Sequence, residues 1–282
     1  MPDKTFDSPP IALSIAGLDP SGGAGVLADV RTFAAFACFP TAAITSLTFQ
    51  NTTGVSGALH QSGETVRAQV LPIVSDFSVA GAKTGMLPTR EVIRAVARLF
   101  KETDLPAPVV DPVMRATSGD DLIADDAVEC LISDLFPTAV LVTPNIPEAE
   151  RLTGLTIIDE QTMRAAAQRI RELGARSVLV KGGHLLTQRQ AAGSGVQSER
   201  REAIDVFDED GEVTVLRGEL VSGGEVHGSG CTLSAAIAAC LARGMSLAEA
   251  VETAKRFVTT AIKNAPAIGH GARPLFGVRW QA

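Results

Sequence analysis

The sequence predicts an α/β fold, a mostly parallel sheet covered by helices on both faces. Three observations predict it. Short apolar runs alternate with longer helical stretches over most of the chain, the pattern of repeated strand–helix–strand units. These runs close on polar or glycine-bearing turns, the end of a parallel sheet where ligands bind. Late in the chain two further runs flank Asp208-Glu209-Asp210-Gly211, a hairpin signal that adds a small antiparallel edge. No linker or internal repeat divides the chain. A flexible tail over residues 1–10 and one domain over residues 11–282 are expected.

Each element has its own signal. Residues 11–16 (IALSIA) form an apolar run stopped by Gly17, as in a buried strand. GLDPSGGAG, residues 17–25, is longer than a tight strand-to-helix connection needs, and the helical stretch VLADVRTFAAF follows. Residues 41–50 (TAAITSLTFQ) read as a second strand, ending in the polar turn that starts at Gln50. A helix is expected over 64–76, a strand over 81–87 (GAKTGML) and a helix over 89–101. Residues 108–113 (PVVDPV) read as a strand carrying Asp111, followed by the lid-like loop MRATSGDD. A helix over 124–135 precedes a strand over 139–145 (AVLVTPN), whose end runs into IPEAERLTG. Residues 157–173 contain a helix, and residues 177–184 (SVLVKGGH) form another strand. Residues 118–121 and 188–201 are mobile by composition. After the hairpin come two helices, one following HGSGCT and a last one opened by a capping box from Ser246 to Glu249.

Composition narrows the function. The net charge of −7 leaves no broad basic surface for nucleic acid or an acidic membrane. Cys38, Cys130, Cys231 and Cys240 show neither CxxC nor zinc spacing, which points to reduced thiols in a cytoplasm. The N-terminus, MPDKTFDSPP, lacks the pattern of a signal peptide.

The stretch with the most chemistry is HGSGCTLSAAIAACLARG, residues 227–244. A glycine turn opening onto a helix aims free N–H groups and partial positive charge at one spot, which suits an anion. Cys231 falls in that helix's first turn, where the same field is expected to lower a thiol pKa. Leu233, Ile237, Cys240 and Leu241 share one face, and Gly244 sits where a left-handed cap would end the helix. Asp19, Gln50, Asp111, Asn145, Glu148, Lys181 and Cys231 each lie at or just past a strand end or at a helix start. Acids, amides, one Lys and an anion cradle on one edge suit phosphoryl transfer with Mg²⁺. Gln50 could read the ring nitrogen and amino group of an aminopyrimidine, since its amide both donates and accepts. His227 is expected either to touch phosphate or to stabilise the turn, His184 follows a Lys-Gly-Gly turn, and His60 and His270 read as surface residues.

GLDPSGGAGVLADVRTF, TSLTFQNTTGV, KTGML, VVDPVMRATSGD, LVTPNIPEAERL, VLVKGGH and HGSGCTLSAAIAA occur in this order. Together they resemble the hydroxymethylpyrimidine/phosphomethylpyrimidine kinases of thiamine biosynthesis, in the ribokinase-like superfamily. The resemblance runs from about residue 11 to 265. It implies a three-layer αβα sandwich, ATP and Mg²⁺, a homodimer, and two successive phosphorylations of 4-amino-5-hydroxymethyl-2-methylpyrimidine. It assigns Gly17, Asp29, Thr48, Gln50 and Met86 to the pyrimidine pocket. It assigns Lys181, Gly182, Gly228, Ser229 and Gly230 to nucleotide phosphates. Asp111, Asn145 and Glu148 fall on the metal side, Glu148 through water. Cys231 matches the catalytic base, which is Asp in most ribokinase-like sugar kinases.

Pyridoxal kinase is the nearest competitor. That branch carries an additional Cys in the lid, and residues 114–120 here have none. A non-catalytic pyrimidine sensor would be expected to lose Cys231, the cradle glycines or Asp111. A nicotinamide dehydrogenase is disfavoured because no GxGxxG opens the first helix.

Overall fold

The computed structural model describes residues 8–115, 123–183, 202–221 and 226–276. The expectations for the first seven residues, the 118–121 and 188–201 loops and His184 fall outside these. The described chain runs β1 (Ile11–Leu18), α1 (Gly25–Ala35), β2 (Phe39–Asn51), β3 (Gly54–His60), α2 (Gly63–Asp76), β4 (Val79–Thr84) and α3 (Arg90–Glu102). It continues through β5 (Val109–Val110), α4 (Asp125–Cys130), β6 (Leu141–Val142), α5 (Ile146–Thr153), α6 (Glu160–Glu172) and β7 (Ser177–Lys181). Then come β8 (Glu202–Glu209), β9 (Glu212–Glu219), β10 (Val226–His227), α7 (Ser229–Ala242), α8 (Leu247–Lys263) and β11 (Arg273–Pro274).

The main sheet has the order β3-β2-β1-β4-β5-β6-β7-β8-β9. Its middle, β2 to β7, is parallel, and both ends are antiparallel. The pleat divides the core in two. Leu13, Ile15, Val110, Val142, Val178 and Val180 face a layer built from α2 to α6. Ala12, Val109, Leu141, Leu179 and Phe207 face α1, α7 and α8. This is the expected three-layer sandwich, with period-2 alternation supplying both faces. The chain leaves β1 for β2 on one side and returns to β4 on the other. That reversal opens a crevice at the strand carboxyl ends beside β1.

Several elements differ from their sequence expectation. β2 does not stop at Gln50. It runs to Asn51, turns back through an Asn51 side chain that accepts the Thr53 N–H at 2.8 Å, and pairs with β3. β3 has no readable pattern because most of its side chains are half or fully exposed and two are glycines. β5 and β6 shrink to two residues each, since prolines at 108, 112 and 144 remove ladder donors around them. The stretch expected as one helix over 124–135 is α4 followed by a π-turn over Leu131–Leu135. α7 is apolar on one face by sequence but is buried nearly all round, from Thr232 to Cys240, because its alanines pack flush between α1, α8 and the sheet. The hairpin turns on Asp210 and Gly211 alone, with φ of 51° and 103°, as a two-residue primed turn requires. No helix among the described residues is long and apolar enough to cross a membrane.

Candidate active site

The site lies where β1, β4, β5, β6 and β7 end against the first turns of α1 and α7. Asp19, just past β1, organises the glycine-rich loop. Its Oδ1 accepts the Ser21 N–H at 2.9 Å and hydroxyl at 2.7 Å, and its Oδ2 accepts the Ala24 N–H at 2.9 Å. α7 then meets this loop backbone to backbone. Gly228 has φ of 82°, and a Cβ there would lie 1.9 Å from the Gly23 carbonyl oxygen. Only glycine allows that approach. No side chain caps the N-terminus of α7, so its first N–H groups are left to a ligand. A Cβ on Gly230 would come within 3.0 Å of Lys181 Nζ, so this glycine lets the ammonium lie against the helix end.

Around the cradle is a buried set of alternating charges. Lys181 Nζ donates to Asp111 Oδ1 at 2.8 Å. Asp111 is 2 % exposed and also takes the Ser234 hydroxyl at 3.4 Å. Burial alone would raise the Asp111 pKa, but Lys181 and Lys83 outweigh it and hold the carboxyl below its ordinary value. Glu148 shows the reverse. Burial, with Asp111 nearby, pushes it up to about 7 despite Lys181. Asn145 and Glu148 form a capping box on α5: the Asn145 side chain accepts the Glu148 N–H at 2.9 Å, and Glu148 accepts the Asn145 N–H at 2.8 Å. The Asn145 oxygen assigned to the metal side therefore serves to aim Glu148. Among the described residues no group of three His, Cys, Asp or Glu is set to hold a metal ion. Two buried carboxylates that repel each other do fit Mg²⁺, which binds one or two carboxylates and keeps water and phosphate oxygens for the rest.

Cys231 is half-buried between the first turns of two helices. Its thiol lies beside Asp111, and its sulfur faces the Gly25 N–H at the start of α1. The lowered thiol pKa expected from the helix end is not what results. Burial pushes the thiol up to about 12, with Asp111 and Asp29 adding to the rise and Lys83 and the Gly25 N–H opposing it. Two carboxylates and desolvation outweigh the helix end.

Lys83, not singled out in the sequence, is the hub of this set. It is completely buried on β4 and donates to both oxygens of Asp29, at 2.8 and 3.0 Å. Ser14 donates to Asp29 at 2.6 Å. Asp29, assigned to the pyrimidine pocket, is thus buried, with both carboxylate oxygens held by Lys83 and one also by Ser14. A lone cation inside the apolar run AGAKTGML was the signal for Lys83. Gly182 is likewise taken up, since its N–H donates to Asp205 at 3.0 Å rather than facing the cradle. The remaining pocket residues do gather. A Cβ on Gly17 would come 3.1 Å from the Met86 sulfur, and the Thr48 hydroxyl donates to the Leu18 carbonyl at 2.9 Å. Gln50 lies 3.2 Å from Thr48 Oγ1 and 3.1 Å from His227 Nε2. His227 is buried and bonds Asp19 at 2.8 Å, the turn-stabilising of its two expected roles. His60 and His270 are exposed, as expected.

Comparison with known proteins agrees with this geometry. The family model described as phosphomethylpyrimidine kinase matches residues 19–276. A hydroxymethylpyrimidine/phosphomethylpyrimidine kinase of Rhizobium meliloti is 46 % identical over 269 residues, 94 % of this chain and 96 % of the relative. The thiamine biosynthesis bifunctional protein ThiED of Geobacter sulfurreducens is 43 % identical over 93 % of this chain, which spans 51 % of that longer protein. Among solved structures, the pyridoxal kinase from Staphylococcus aureus in complex with AMP-PCP and pyridoxal superposes with a TM-score of 0.83. It is 31 % identical, covering 95 % of this chain and 93 % of that one.

Proposed function

The chain belongs to the phosphomethylpyrimidine kinase family and is a phosphotransferase, and we propose how its residues divide the work. ATP phosphorylates the hydroxymethyl group of 4-amino-5-hydroxymethyl-2-methylpyrimidine, and then the monophosphate so formed, on the route to thiamine diphosphate. The observation that carries this reading is Cys231 beside the uncapped N-terminus of α7, with Lys181 and Asp111 against the same turn. The N–H groups after Gly228 cradle the transferred phosphoryl group, where they match the charge that develops on its oxygens. Lys181 adds a cation at the same spot. Cys231 takes the acceptor's hydroxyl proton, and Gly17, Thr48, Gln50 and Met86 hold the ring. Asp111 and Glu148 would hold Mg²⁺. When bound, the ion would cancel the Asp111 charge that raises the thiol and would screen the phosphate oxygens. The buried Asp29 acts through Lys83, whose ammonium opposes the rise of the thiol.

The reading is tested by product identity. With ATP, Mg²⁺ and the free pyrimidine alcohol, the monophosphate should appear first and the diphosphate after it. A clear preference for pyridoxal, bound by the Staphylococcus aureus relative, would overturn the choice of acceptor.

A homodimer and a cytoplasmic setting complete the proposal. Phe49 is 56 % and Leu59 57 % exposed on the β2–β3 hairpin, an apolar face that a second copy could cover. Sedimentation should give a dimer, and Phe49→Glu should shift it toward monomer; an unchanged profile would exclude that face. All four cysteines are unpaired, in keeping with a reducing compartment.

A further inference from the structure

We propose that His227 is a positioning residue that locks the Gln50 amide in one orientation, and that this lock sets which ring edge the pocket accepts. The inference rests on the reading of Gln50 as part of the acceptor pocket.

His227 Nε2 lies 2.8 Å from Asp19 Oδ2 and 3.1 Å from Gln50 Nε2, and Gln50 Oε1 lies 3.2 Å from Thr48 Oγ1; the donors and acceptors around this amide call for it turned by 180°. Asp19 is met by donors, from Ser21 on one oxygen and Ala24 on the other. Burial would raise its pKa, yet the hydrogen bonds from His227 and Ser21 hold it below the ordinary value, so it is a carboxylate. A carboxylate only accepts, and Nε2 must therefore bring a hydrogen. An Nε2–H cannot also accept from an amide NH₂. The Gln50 atom facing it must be the carbonyl oxygen, sharing that hydrogen with Asp19.

The other end of the amide gives the same answer. The single hydroxyl hydrogen of Thr48 goes to the Leu18 carbonyl at 2.9 Å. Its oxygen is left to accept, and the amide atom 3.2 Å away must be the NH₂. Oxygen and nitrogen of an amide are told apart only by such partners, and here two independent partners select one orientation. The lock is built in tightly: a Cβ on Gly23 would lie 2.1 Å from the His227 ring. Gln50 then offers one lone pair and one N–H in a fixed order. It matches a heteroaromatic edge with a donor beside an acceptor in the complementary order and rejects the reverse. A free amide would flip to suit either.

Ring ¹⁵N NMR should show a hydrogen on His227 Nε2; a bare Nε2 would overturn the lock. His227→Phe should raise KM for the pyrimidine alcohol about tenfold, the worth of one hydrogen bond to a buried polar group, with KM for ATP changed less than about twofold. His227→Gln, which can donate from a similar place, should recover most of the loss and guards against misfolding of the Phe variant. On a Gln50→Ala background His227→Phe should add nothing. Equal losses on both backgrounds would overturn the proposal. A Gln50→Ala variant with unchanged KM for the pyrimidine would overturn the reading of Gln50 itself, while the NMR result still reports on the lock.

Discussion

Replacing Cys231 with Ala should lower kcat by roughly 10²–10⁴-fold, the range for loss of a positioned acid–base group, while ADP and ATP still bind. The split follows from where the sulfur sits. In the proposed reading, nucleotide phosphates would meet the backbone N–H groups after Gly228 and the Lys181 ammonium, and an Ala at position 231 alters neither group. Among the described residues, the two carboxylates that act on the Cys231 sulfur are already engaged. Asp111 is engaged by Lys181 and Ser234, and Asp29 is held by Lys83. Cys231→Ser keeps the size and the Asp111 contact but has a still weaker acid, and it should fall with the Ala variant. Calorimetric nucleotide titration beside single-turnover rates checks both halves. Near-normal turnover in Cys231→Ala would remove the base assignment. Lost nucleotide binding would mean that the sulfur shapes the cradle. The resting thiol, pushed up to about 12, is consistent with a base that becomes competent only when the Asp111 charge is countered.

What could be read in the sequence was local. Gly228 and the uncapped turn of α7, the Ser246–Glu249 box on α8 and the strand alternation through β1, β4 and β7 are all nearest-neighbour effects. What escaped was set by distant packing. β5 and β6 look like full strands because their valines are buried, yet the prolines beside them limit the ladder. The sequence carries the helix end that favours a Cys231 thiolate. It does not carry the burial and the two carboxylates, brought by α1 and β5, that outweigh it. Asp29 and Gly182 are at positions that match a pocket and a phosphate contact, but Lys83 and Asp205 claim their polar groups first. Gln50 and His227 are 177 residues apart, so no spacing rule could pair them.

Lys83→Met should destabilise the fold by about 3–5 kcal/mol, the cost of removing one partner of a buried ion pair. Both side chains are wholly shielded from solvent, and Lys83 meets both Asp29 oxygens. Met matches the stem in length and leaves the carboxylate with only the Ser14 hydroxyl. Burial already raises the Asp29 pKa against the pull of Lys83, and without the ammonium it rises further. The pH dependence follows from that sign. An acid whose folded pKa lies above its unfolded value costs stability while it must stay ionised, above the folded pKa. That cost fades as pH falls toward the unfolded value near 4. The gap between Lys83→Met and the parent should therefore be widest at neutral pH and narrow on acidification. Removing both charges, as in Lys83→Met with Asp29→Leu, should recover a large part of the loss, since an apolar pair has no stranded charge. Urea unfolding at pH 7.5 and 5 reads all three chains. A double variant as unstable as Lys83→Met at both pH values would show that the lysine matters through its packing, and the charge argument for this hub would fail.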